Sequence, residues 1–65
     1  MTWKVEFEHN EADFSYSAPS LSELCGLLNL HGFRLYDFYR LQIHVDGVPK
    51  STTSPEFQQF LKYLQ

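Results

Sequence analysis

A chain of 65 residues makes one small compact domain spanning residues 1–65, and at this size folding buries only about 60% of the surface of the unfolded chain. The 43% hydrophobic and 17% aromatic content excludes a disordered polypeptide, and a single cysteine excludes an internal disulfide. The net charge of −3 is uneven: residues 1–23 carry Glu6, Glu8, Glu11, Asp13 and Glu23 against Lys4, whereas residues 24–65 carry Arg34, Arg40, Lys50 and Lys62 against Asp37, Asp46 and Glu56.

The first segment, WKVEFEH, sets Trp3, Val5 and Phe7 against Lys4, Glu6 and Glu8, the period of a strand buried on one face, and predicts a strand over residues 2–9. DFSYSA repeats the alternation with Phe14, Tyr16 and Ala18 inward. NEAD between the two supplies turn residues, so the strands are expected to form an antiparallel hairpin. The period then becomes helical. Ser20 and Glu23 have capping-box spacing, Leu21, Leu24, Cys25 and Leu28 form a stripe, and Gly32 suits a helix end, which predicts a helix over residues 21–31. Gly26 inside it implies either simple tolerance or a close approach to the sheet.

YRLQIHV predicts a third strand over residues 39–45, with Tyr39, Leu41, Ile43 and Val45 on the core side. Asp46-Gly47 is a turn signal, and Val48 to Lys50 form a short returning strand that Pro49 confines to an edge. The remaining segment, which ends at Gln65, predicts a second helix with Phe57, Phe60, Leu61 and Leu64 inward. Its start is marked by two competing caps, Thr53 with Glu56 and Ser54 with Pro55. The order is β-β-α-β-(β)-α: an α+β domain with an antiparallel sheet of three to four strands and two helices. This element order is similar to that of β-grasp domains.

Assembled catalytic chemistry is not expected. Cys25 lies on an apolar stripe, where burial suits a structural thiol better than a nucleophile. His9, His31 and His44 lack the close spacing of a metal pair, and no glycine-rich phosphate loop, serine elbow or HExxH pattern occurs. No metal, cofactor or catalytic residue is therefore assigned. No apolar run reaches the roughly 18 residues of a membrane span, and no signal-like leader is read at the N-terminus, so a cytoplasmic protein without membrane contact is expected.

Two groups of residues are candidates for partner binding. Glu6, Glu8, Glu11 and Asp13 make either a solvated polar face or a docking surface for a basic partner. The stretch FRLYDFYRL has two readings. As an unbroken strand it shows Arg34, Tyr36, Phe38 and Arg40 on one side, with Asp37 among the core residues on the other. With a turn at Leu35 to Asp37, the strand begins near Phe38. The expected function is a small noncatalytic protein-interaction module, an inhibitor or adaptor that binds a protein partner. In size, acidity and motif-poor α+β makeup the chain looks like the small inhibitors that phages encode against bacterial defence or host enzymes. The alternative is a nucleotide or single-stranded nucleic-acid binder that uses rings for stacking and arginines for phosphate. A free sheet edge also leaves homodimerisation open.

Overall fold

The computed structural model describes residues 1–64; Gln65, the last residue of the segment expected to form the second helix, lies outside them. The chain folds as β1 (Trp3–His9), β2 (Ala12–Ala18), α1 (Leu21–Leu30), a single 3-10 turn at Leu35–Asp37, β3 (Tyr39–Val45), β4 (Val48–Lys50) and α2 (Pro55–Leu64). The four strands make one fully antiparallel sheet in the order β2-β1-β3-β4. The expected α+β class and element order are both present.

Each boundary has a local cause. Asn10 and Glu11 form the two-residue turn between β1 and β2 with φ of 51° and 65°, while Asp46 and Gly47 join β3 to β4 at 52° and 79°. Paired positive φ values match the right-handed twist of a hairpin. The first turn is thus narrower than NEAD, since Ala12 and Asp13 already belong to β2. At the start of α1, Ser20 Oγ accepts the Glu23 amide at 3.2 Å and donates to the Glu23 carboxylate at 2.9 Å. At its end the amide of Phe33 reaches back to the Leu28 carbonyl at 2.9 Å, and Gly32 has the left-handed φ of 81° that closes this cap. For α2 the later of the two competing starts operates: Pro55 is the first helical residue and Ser54 Oγ accepts the Phe57 amide at 3.2 Å.

Both helices supply the buried side chains that meet the inward row of the sheet. Trp3, Val5 and Phe7 of β1 and Ile43 and Val45 of β3 pack with Leu24, Cys25 and Leu28 of α1 and Phe57, Phe60 and Leu64 of α2. Full burial of one such large side chain stabilises the fold by about 1.5–3 kcal/mol. Aromatic contacts concentrate on Phe7, whose ring lies 4.6 Å from Phe38, 4.9 Å from Phe33 and 5.5 Å from Phe14 between centroids. Gly26 is exposed on α1, and a Cβ built there would meet nothing within 4 Å, so no close approach to the sheet explains it.

Of the two readings of FRLYDFYRL, the structure follows the one with a turn at Leu35 to Asp37. The strand does not run through Asp37. Leu35 to Asp37 form the 3-10 turn, with the Asp37 carboxylate accepting the Arg34 amide at 2.7 Å. Phe38, half-buried, packs against the core cluster, on Phe7 and 6.0 Å from Phe60. Tyr39, assigned by alternation to the core side, is instead 59% exposed. The cause is a bulge: Glu6 pairs with Gln42 but Glu8 pairs with Tyr39, so Arg40 and Leu41 together oppose Phe7. Arg40 takes the left-handed φ of 56° at its first position. One extra residue reverses the alternation, and Tyr39 turns to the opposite face.

Candidate interface on the open sheet face

With the core row spoken for, the other face of the sheet carries the alternate residues: Lys4, Glu6 and Glu8 from β1, Asp13, Ser15 and Ser17 from β2, and Gln42 and His44 from β3. The register places them in cross-strand rows, Asp13 beside Glu8 beside Tyr39, then Ser15 beside Glu6 beside Gln42, then Ser17 beside Lys4 beside His44. None of these residues belongs to the buried core. A polar face of this kind stays wet because the antiparallel sheet needs cover on only one side.

The bulge gives this face its distinctive end. Arg40 lies with its guanidinium 5.4 Å from the centre of the Tyr39 ring, within cation–π range. It also borders an open depression of about 370 Å³ shared with Glu6, Glu8, Asp13, Ser15 and Gln42. Among the described residues, Glu8, Asp13 and Arg40 have no ion-pair partner, whereas Lys4 Nζ meets Glu6 Oε1 at 2.9 Å. The hydrogen bond from Lys4, and then its charge, holds the Glu6 carboxyl below the usual carboxylate range. Left-handed backbone at a residue other than glycine costs about 1–2 kcal/mol. The Arg40 bulge therefore stores strain while it presents a tyrosine and an arginine side by side.

The structure separates the eight residues singled out in sequence. Glu6, Glu8, Asp13 and Arg40 come together around the depression. Glu11 is exposed in the hairpin turn, off the strand rows. Arg34 caps the 3-10 turn and donates from its guanidinium to the Phe33 carbonyl at 3.3 Å. Tyr36 is 87% exposed on that turn, and Phe38 faces the core cluster. Arg34, Tyr36, Phe38 and Arg40 thus do not share a strand face, and the stacking platform that an unbroken strand would build is not formed. Sequence reasoning missed Tyr39, Gln42 and Ser15. The available hint was Asp37, a carboxylate that an unbroken strand would have placed among core side chains.

Of the remaining chemical groups, His44 alone lies on this face. Cys25 is buried, and burial pushes its thiol up to about 11, far from a reactive thiolate. His9 Nδ1 lies 3.1 Å from the Asp37 carbonyl and ties the 3-10 turn to the end of β1. His31 is exposed beyond α1, with its ring 5.1 Å from that of Tyr16. His44 faces Lys4 across the strands, and its Nδ1 is buried without a hydrogen-bond partner among the described residues. Those residues contain no group of three or more His, Cys, Asp or Glu able to hold a metal ion, and no helix long and apolar enough to cross a membrane. No family model matches the chain, and comparisons with curated proteins and with solved structures find no match, so its own residues must carry any functional assignment.

Proposed function

We propose that this chain is a noncatalytic protein-binding module, acting as an inhibitor or adaptor, and that it docks its partner on the open sheet face. The observation that carries this reading is the Arg40 bulge. Bulges bend a strand and re-aim side chains, and this one holds arginine in a backbone conformation that glycine would adopt more easily. Its result is Tyr39 and Arg40 side by side on the surface, the two residue types that most often anchor protein interfaces together with tryptophan. Unpaired Glu8 and Asp13 beside them supply charge for partner choice and orientation. Protonation of the buried Cys25 thiol is consistent with a role in packing, not in nucleophilic chemistry.

The test is affinity capture with the immobilised chain, comparing wild type with Tyr39→Ala and Arg40→Gly under conditions where all three are folded. A partner retained by wild type and lost from both variants supports the assignment. Retention of the same proteins by all three, or specific capture by none, overturns it.

A further inference from the structure

The two edges of the sheet are not equivalent. β4 is three residues long with Pro49 at its centre and Lys50 at its end, features that block strand addition. β2 runs for seven residues with no proline, lysine or bulge. The two-residue turn makes His9 and Ala12 the closing pair, which exchanges both backbone hydrogen bonds. Alternation then directs the backbone groups of Phe14, Tyr16 and Ala18 toward β1, and leaves the amide and carbonyl of Asp13, Ser15 and Ser17 pointing away from the sheet.

What could pair with these groups is set by the charge beside them. An incoming strand would extend the cross-strand rows, so its alternate side chains would lie next to Asp13 and Ser15 and within reach of Glu8 and Glu6. Of these acidic groups only Glu6 has an ion-pair partner among the described residues. A second copy would bring another acidic strip, and another net charge of −3, against the first. Charge complementarity therefore favours a basic segment over self-pairing.

We infer that the free edge of β2 accepts an extended segment of the partner protein as a fifth strand, with Lys or Arg at alternate positions above Asp13, Glu8 and Glu6. This rests on the open face being the docking face, and it specifies the element that the partner offers. Main-chain pairing supplies affinity, and the alternate basic side chains supply selectivity.

The experiment uses the full ¹⁵N-labelled chain with three synthetic seven-residue peptides at millimolar concentration. One alternates Thr and Lys, the second alternates Thr and Glu, and the third is the Lys peptide N-methylated on the amides that would face β2. The Lys peptide should slow hydrogen exchange at the Asp13, Ser15 and Ser17 amides, and the other two should not. Asp13→Lys should weaken Lys-peptide binding by about fivefold to tenfold, the effect of exchanging one surface attraction for one repulsion. Equal protection by the Lys and Glu peptides, or protection by none, overturns the proposal. So does a free protein of doubled solution mass with these amides already protected, which would assign the edge to a second copy. Partner capture lost with Arg40→Gly but kept with Ser15→Pro would reject strand addition while leaving the docking face intact.

Discussion

Replacing Arg40 separates backbone strain from side-chain use. Its φ of 56° costs about 1–2 kcal/mol for a residue with a Cβ, and Arg40→Gly relieves that cost. Against the relief stand about 0.4–1 kcal/mol of extra freedom in the unfolded chain and about 0.5–1 kcal/mol for the lost contact over the Tyr39 ring, 5.4 Å away. The net is a stability within about 1 kcal/mol of wild type. Arg40→Val keeps the left-handed backbone and adds a branched Cβ, and should lose about 1–2 kcal/mol. Glycine should thus exceed valine at residue 40, whereas at Gln42, a regular position on the same strand, valine should exceed glycine by about 1 kcal/mol. Urea and thermal unfolding of the four variants measure this, at about 4–8 °C per kcal/mol for a domain of this size. The same order at both positions would refute the bulge and, with it, the explanation of why Tyr39 faces solvent.

Gly26→Ala should raise stability by about 1 kcal/mol, because the added methyl meets nothing within 4 Å and the helix loses a flexible residue; unchanged or lower stability in thermal unfolding would show that the glycine is needed. For Cys25 the folded thiol titrates near 11 against an ordinary 9.0, so the unfolded chain releases its proton first. The stability associated with the neutral thiol is complete below pH 9 and falls as pH rises toward 11, with a slope approaching about 1.4 kcal/mol per pH unit. Urea unfolding of wild type and Cys25→Ala across that window should show their difference narrowing as pH rises, and a constant difference would count against the buried thiol.

Much of the fold is legible in the sequence because strand and helix periods alternate cleanly along it. WKVEFEH, the Ser20 cap, Gly32 and Asp46-Gly47 all mark what the structure contains. The 3-10 turn and the bulge are harder for a physical reason. At the bulge Arg40 holds positive φ without being glycine, so nothing in its chemistry marks the backbone it adopts. A reversal at one such residue moves every side chain before it to the other face. Tyr39 was therefore misplaced by alternation alone, while Leu41, Ile43 and Val45, beyond the bulge, keep the expected side. The acidic half of the candidate face is readable because Glu6, Glu8 and Asp13 lie on regular strands; the aromatic half is not.

The strand order also determines when the sheet can be completed. β1 lies inside the sheet, paired on one side with β2, which begins three residues after β1 ends, and on the other with β3, which begins 30 residues after β1 ends. The first pairing is local and forms on the microsecond scale of a hairpin, whereas the second must close a long loop that contains α1 and the 3-10 turn. Folding speed should thus be strongly influenced by the docking of the β3-β4 hairpin onto β1, the strand pairing with the largest sequence separation. Until that docking occurs, both long sides of the β1-β2 hairpin are open, and the acidic side chains of β1 and β2 help to keep young chains from pairing with one another.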